Sequence, residues 1–488
     1  MTGKGNAMRR CLLAACSLAL AAPALAGQTA ASDPPDEAGV IARIDARYDA
    51  TAGLARRIWE WAEVGYKEEN SSKALQDALQ AEGFEVKAGV AGIPTAFTAT
   101  WGSGAPVIAI LGEFDALPGI NQDSVPTRTL IDGKNAAHAC GHNLFGAGSV
   151  GAAIAIRDWL EESKTPGTIR FYGTPAEEGG SGKVYLVRAG LFKDVDIALH
   201  WHPDDENSAE ARTSLANRSA KFRFSGVSAH AAGAPERGRS ALDAVEAMDM
   251  MVNMMREHVP QETRIHYVIT KGGSAPNVVP DTAEVFYYVR SPSAAGVKEV
   301  WARVEDAAKG AALGTGVKVD WEIIHGNHPL LINETLAKVM NEKLSEVGGV
   351  RYTKEEEAFA KKLYASFDRA DRVLGDQERI EPYEKSLGYG STDVGDVSIA
   401  VPTVGLRTAT WVPGTAAHSW QSAAASGMSI GFKGAQVAAK TLALMAIELY
   451  RNPELRAAAK AEFDAARGPK FKYEALLGDR TPPLDYRD

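Results

Sequence analysis

His138-Ala-Cys140-Gly-His142-Asn143 places one thiol and two imidazoles within five positions, just ahead of a small-residue helical pattern. Thr174-Pro-Ala-Glu177-Glu178-Gly-Gly presents two adjacent carboxylates, and His200-Trp-His202-Pro offers two more imidazoles. Gly390-Ser391-Thr392-Asp393 and Ala417-His418-Ser419-Trp420 complete the set. Thiolate, imidazole and carboxylate together suit a borderline divalent cation such as zinc, or manganese where more oxygen ligands contribute. Each motif alone has a plainer reading. A single histidine after a strand is often a hydrogen-bonded core or surface residue. An isolated buried cysteine behaves as a small hydrophobe, and a Glu-Glu pair can be a solvated loop.

The elements around these motifs change that balance. Short apolar runs at Val107 to Leu111, Thr168 to Tyr172, Val195 to Leu199 and Val401 to Leu406 alternate with helical patterns such as Ala147 to Leu160. This is the signature of an α/β domain with a largely parallel, buried sheet. Every chemical motif falls where a strand ends or a helix begins. In open α/β sheets the carboxyl ends of the strands converge on one crevice, so residues distant in sequence can meet there. Upstream, Ile41 to Trp61 has helical spacing, and Ser71-Ser72 is expected to cap a helix through Leu75, Ala78 and Leu79 that stops near Gly83.

The texture differs between about Thr213 and Ile324. Lys221-Phe-Arg-Phe alternates, a Met-rich helix runs from Ala241 to Met255, and Ile265 to Ile269 and Ala283 to Val289 read as strands. This order predicts a compact α+β unit inserted into the first domain. The division expected is 34–213 with 325–475 for the first domain and 214–324 for the insert. Met248, Met250, Met251, Met254 and Met255 read as core or subunit-interface packing. Lys354 to Lys385 reads as a charged helical excursion.

A chain of 488 residues exceeds what one core usually fills. Hydrophobic residues at 45% and charged residues at 24% exclude a disordered or fibrous protein. The balance of 53 Lys plus Arg against 62 Asp plus Glu gives −9, which disfavours nucleic acid and anionic membranes as partners. Met8-Arg9-Arg10, an apolar run from Cys11 to Ala22, and small residues at Ala24 and Ala26 describe a signal peptide over 1–26, cleaved after Ala26. Leu13-Ala14-Ala15-Cys16 also resembles a lipoprotein box, the lesser reading. Removing Cys11 and Cys16 leaves Cys140 alone, so an internal disulfide is excluded. No later apolar run reads as long enough to span a membrane, and a soluble periplasmic protein is expected.

The motifs together resemble the dinuclear metallopeptidases, the family of aminoacylases, glutamate carboxypeptidase and auxin-conjugate amidohydrolases, over nearly the whole mature chain. The residues that carry this are His138-Ala-Cys140-Gly-His142, Glu177-Glu178, the strand-end histidine, Ser228-Ala-His230, Asn277-Val-Val-Pro-Asp281 and His418. Asn143 stands where the auxin-conjugate branch has aspartate. With Trp201-His202-Pro203, Gly390-Ser-Thr-Asp-Val-Gly-Asp396 and His418-Ser-Trp420-Gln421, it is similar instead to the aminobenzoyl-glutamate branch.

The resemblance implies a zinc-peptidase-like catalytic domain with an inserted lid and dimerisation domain. It implies two divalent ions, Mn2+ or Zn2+, held by Cys140, His142, Glu178, His202 and His418, with Asp115 orienting a ligand. His200 and His202 point the same way along a strand; counting six residues from Asp196, as the family does, gives His202, and His200 stays an alternative. The resemblance further implies Glu177 as general base, and His230, Asn277 and Arg290 as binders of the substrate's carboxylate and scissile carbonyl. His230 is also placed to reach a partner subunit. A homodimer is implied, with room for a related second subunit. The function expected is metal-dependent hydrolysis of N-acyl or N-aroyl amino acids, aminobenzoyl-glutamate-like, or of dipeptides. Two rivals stand beside it. A cysteine hydrolase with Cys140 as nucleophile leaves Glu178 and His418 idle. An exported binding protein has no need of a base beside its ligands.

Overall fold

Four strands that point the same way form the centre of the structure. This computed structural model describes residue 1 and residues 36–487, so the expected signal peptide lies outside the described residues. Gly167–Gly173, Val107–Gly112, Ile197–Asp204 and Thr403–Ala409 are mutually parallel and adjacent in that order. Antiparallel strands Phe97–Ser103 and Glu85–Ala88 extend one side, and Ser208–Ala209 closes the other. The parallel strands are Val, Ile, Leu and Phe rich because both faces are buried. The fold is α/β, as the alternation of runs requires.

The runs Val107 to Leu111 and Thr168 to Tyr172 fall inside these strands, and those at Val195 to Leu199 and Val401 to Leu406 start two residues before theirs. Phe97–Ser103 had no such signal, since Thr98, Thr100 and Gly102 interrupt its apolar residues. The helix after the site motif is longer than its pattern, His142–Ser163, and packs against Ser429–Arg451. Ser429–Arg451 corrects the expectation that no later segment could span a bilayer. By length and composition it could, but 83% of its most apolar window is buried in the fold. It is largely apolar because it is a core helix packed on several sides, while Lys433 and Lys440 reach out to pair with Glu356 and Asp45.

A second sheet, order Arg264–Lys271, Thr282–Ser291, Ala216–Ser225, Lys318–Asn327, is wholly antiparallel. Helices Ala241–Met255 and Ala294–Thr315 pack on it around a separate core that includes Phe222, Met248, Tyr287 and Trp301. The methionine cluster divides: Met248 and Met255 are buried, while Met250, Met251 and Met254 are exposed.

Two local expectations are corrected. The helix expected from Ser71 begins earlier, at Glu69–Ala81, and Ser71 and Ser72 lie inside it. Their hydroxyls donate to Glu63 Oε2 and to the Thr95 carbonyl instead of capping. The charged stretch is helical only over Lys354–Tyr364, where Thr353 and Glu356 form a capping box; beyond a short 3-10 turn, the rest is irregular.

Gly395 opens the short helix Val394–Ala400 beside the crevice, and a β-carbon there would fall on the His328 carbonyl oxygen. Gly395→Ala is expected to cost about 1–3 kcal/mol and to lower the thermal midpoint. Gly390→Ala, with nothing within 4 Å of the added carbon, should leave it unchanged. Equal melting curves for the two variants would remove this account.

Candidate metal centre

The carboxyl ends of the parallel strands deliver the site. Glu113 and Asp115 follow Val107–Gly112, Glu177 and Glu178 follow Gly167–Gly173, and His202 lies near the end of Ile197–Asp204. Cys140 and His142 enter at the start of His142–Ser163, where Gly141 takes a left-handed φ of 76°. Any side chain at 141 would also press on Pro203, 2.6 Å from its Cβ. His418 comes from the loop after Thr403–Ala409.

Donor atoms of Cys140, His142 and His202 lie within 4.8 Å of one another, and so do those of Cys140, Glu178 and His418. Cys140 belongs to both groups. A third group joins Glu113, His142 and Glu177. Cys140 Sγ is 3.6 Å from His202 Nε2, and Glu178 Oε1 is 3.3 Å from His418 Nε2. All five expected ligands therefore meet in one place. The donors also fit a cation chemically. His142 Nδ1 donates to Asp115 Oδ1 at 2.9 Å and His202 Nδ1 to the Pro203 carbonyl at 2.7 Å, so each ring turns its Nε2 inward. His142 Nε2 and Glu178 Oε1 are buried without a hydrogen-bond partner among the described residues. Nε2 of His142 is 3.0 Å from Glu113 Oε2 but outside hydrogen-bonding geometry. Buried orphan donors and acceptors of this kind are costly unless something binds them. The set could hold two divalent ions that share Cys140.

His200 is separated from this set. Its ring packs over Gly405 of the neighbouring strand, and burial pushes its pKa down to about 3. His138 is committed to the backbone: Nε2 donates to the Ile58 carbonyl and Nδ1 accepts from Asn143 N–H. Asn143 donates to Ala55 and Ser426 carbonyls, a packing role.

Electrostatics set the protonation states. Burial, then Glu178, pushes the Cys140 thiol upward, so without a cation it is a poor nucleophile. Burial, then Glu113 and Glu178, holds Glu177 well above the ordinary carboxyl range. Burial opposes charge on His142, and Cys140, Glu113 and Asp115 together outweigh it.

Lys183, Tyr486 and Arg487, which carry no sequence signal, brace the site together with Asp115. Lys183, fully buried, donates from Nζ to Glu113 Oε1 and Asp393 Oδ1, both at 2.6 Å. Asp115 Oδ2 accepts from Glu178 N–H at 2.9 Å. Tyr486 and Arg487 both donate to the Glu178 carbonyl. A lone lysine or a distant arginine gives no local pattern that could have revealed these roles.

The cavity over the site has a volume of about 830 Å³, and Glu177, Glu178, Cys140, His202, His418 and Arg290 line it. Arg290 Nη1 donates to Ser391 Oγ at 3.1 Å. His230 and Asn277 stand outside this cavity, exposed together in the loops of the second sheet, where Ala231 N–H donates to the Asn277 carbonyl. His230 Nδ1 accepts from the N–H groups of Ala232 and Gly233, which leaves Nε2 as the outward donor.

Residues 109–364 match peptidase family M20/M25/M40. The chain is 40% identical to one of the subunits of the p-aminobenzoyl-glutamate hydrolase of Escherichia coli strain K12, over 83% of this chain and 90% of that protein. The chain belongs to peptidase family M20/M25/M40. It is also 31% identical to the Xaa-Arg dipeptidase of Mus musculus, over 89% of this chain and 93% of the relative. A solved dinuclear metal-binding peptidase of the M20 family from Bacillus subtilis shares the fold, with a TM-score of 0.56 and 17% identity over 83% of this chain and 99% of that one. As a family M20/M25/M40 member, the chain is a metal-dependent amidohydrolase or peptidase.

Glu68 provides a pH test of the bracing. It is fully buried, accepts from Ala176 N–H at 2.8 Å and Thr95 Oγ1 at 2.9 Å, and burial, then Asp115, raises its pKa to about 8. Between its ordinary value and 8 the folded chain holds a proton that the unfolded chain lacks, so its contribution falls as pH rises through that window. The slope is at most about 1.4 kcal/mol per pH unit. Glu68→Gln imitates the protonated form and is expected to be more stable than the parent at pH 8.5 but not at pH 4. Parallel urea-unfolding profiles across that range would contradict it.

Proposed function

We propose that the chain hydrolyses the amide bond of N-acyl or N-aroyl amino acids, or of dipeptides, with Glu177 as general base. The observation that carries this is the sharing of Cys140 between two donor groups, with Glu177 lining the same cavity. Cys140, His142 and His202 would hold one divalent ion, and Cys140, Glu178 and His418 the other, Mn2+ or Zn2+. When bound, such ions act as Lewis acids and lower the pKa of water from about 15.7 toward neutrality.

The chain's own residues supply the remaining steps. Glu177, held among carboxylates that raise its affinity for a proton, takes one from the attacking water and passes it to the departing nitrogen. Arg290 offers a planar fork to a substrate carboxylate. His230, with Nε2–H outward, and Asn277 would meet substrate from a partner subunit. An exposed apolar edge supports a homodimer across the second sheet: edge strand Arg264–Lys271 exposes Tyr267, Val268 and Ile269, and Met250 and Met254 are exposed as well. The Escherichia coli relative's name supports an aroyl-glutamate substrate and a related second subunit, and the Mus musculus relative's name supports dipeptides. Export rests on the N-terminal pattern alone.

Glu177→Gln is expected to keep the metal content of the parent and lose about 10²- to 10⁴-fold in turnover. Chelation should abolish hydrolysis, and Mn2+ or Zn2+ should restore it. Turnover that survives either treatment would sink the mechanism. Expressed in a Gram-negative host, the protein purified from the periplasm should begin at Gly27 by N-terminal sequencing; an intact start with Met1 would overturn the cleavage.

A further inference from the structure

The segment after helix Pro453–Arg467 crosses from one sheet to the other and returns to the site. Arg218 of the second sheet donates to the Leu476 carbonyl at 2.6 Å, and Arg480 pairs with Glu322 at 2.8 Å. Arg188 then donates to the Arg480 carbonyl at 2.8 Å, which turns the chain back across the first domain. The Tyr486 ring meets Tyr66 edge-on at 5.5 Å, and Arg487 stacks over Tyr486 at 4.7 Å. Arg487 Nη2 donates to the Glu178 carbonyl, and its Nε is buried without a partner among the described residues.

Most arginines around the cavity are neutralised within the chain. Arg223 pairs with Glu284 and Glu322, Arg407 with Asp204 and Glu210, and Arg480 with Glu322. Arg290 and Arg487 also line the cavity, yet neither has a carboxylate partner among the described residues. Tyr288 lies near both. Arg290 stacks on its ring at 5.6 Å, and a β-carbon on Gly179 would sit 3.6 Å from Arg487 Nη2 and 3.8 Å from Tyr288 OH. Two uncompensated guanidiniums in one cavity match a ligand with two carboxylates.

We propose that Arg487 is a specificity-determining residue that binds a second carboxylate, so that the released amino acid is acidic. This rests on the amidohydrolase reading above: Arg290 takes the α-carboxylate, and Arg487 the side-chain carboxylate of a glutamate- or aspartate-type conjugate. A substrate ending in arginine would be repelled by the same pair.

The test uses the full metal-loaded chain with N-benzoylglutamate and N-benzoylalanine. The parent is expected to prefer the glutamate conjugate. Arg487→Ala should lower the ratio of the two kcat/KM values by about 10- to 100-fold, mostly through KM, and Arg487→Lys should recover part of it. An equal fall on both substrates would reduce Arg487 to a prop for the Glu178 loop and overturn the proposal, as would a parent that prefers the alanine conjugate. If the parent hydrolysed neither, the reading of the substrate as an N-aroyl amino acid would fail. Calorimetric affinities of the two conjugates for parent and Arg487→Ala would still decide the role of Arg487, with an unchanged ratio counting against it.

Discussion

One carboxylate keeps the two halves of the donor set together. Asp115 Oδ1 fixes the tautomer of His142, and Oδ2 takes the backbone N–H of Glu178. His142 and Glu178 belong to different donor groups, so neither ligand can move without disturbing the other. Asp115 is buried, where its hydrogen bonds are not diluted by water. It also sits just beyond the end of a central parallel strand, Val107–Gly112. The accuracy of the sheet is therefore passed directly to the ligands.

The loops that complete the site are held in costly conformations. Ala176, Ser181 and His418 all have left-handed backbones, with φ of 58°, 58° and 60°. Each such residue gives up about 1–2 kcal/mol. Two of them flank Glu177-Glu178, and the third aims the last imidazole at Glu178. Buried partners enforce these turns: Glu68 accepts from Ala176 N–H, Ser181 Oγ pairs with the Asn327 side chain, and His418 N–H donates to the Ala139 carbonyl. Strain of this kind gathers where geometry matters more than stability.

What is encoded locally is legible in the sequence. The helix Ala241–Met255 was legible to the residue from its Met-rich run, and in the structure Ser240 caps its start. The five expected ligands were legible because Cys, His and paired Glu at strand ends are informative residue types, and the structure brings all five together. The choice between His200 and His202 was not, since strand alternation gives both the same side. What separates them is Gly405, on a strand far along the chain, whose missing side chain receives the His200 ring. Lys183, Glu68 and Arg487 escaped for the same reason. Each acts through partners distant in sequence, and a lone charged residue looks like solvated surface until the fold surrounds it. Ser429–Arg451 misled in the opposite sense, because hydropathy alone does not distinguish a bilayer from a protein core.

The charge balance of the crevice has an effect beyond chemistry. Glu113, Asp115 and Asp393 are fully buried and Glu177 and Glu178 half-buried, against a single buried ammonium at Lys183. The crowding of these carboxylates, which helps raise the proton affinity of Glu177, opposes folding wherever it goes uncompensated. Counter-ions that enter the crevice relieve it, so ion occupancy and folding equilibrium are thermodynamically linked. Resistance to unfolding and to proteolysis should then rise with the free concentration of divalent ions, in a chain whose interior remains incomplete by composition until they arrive.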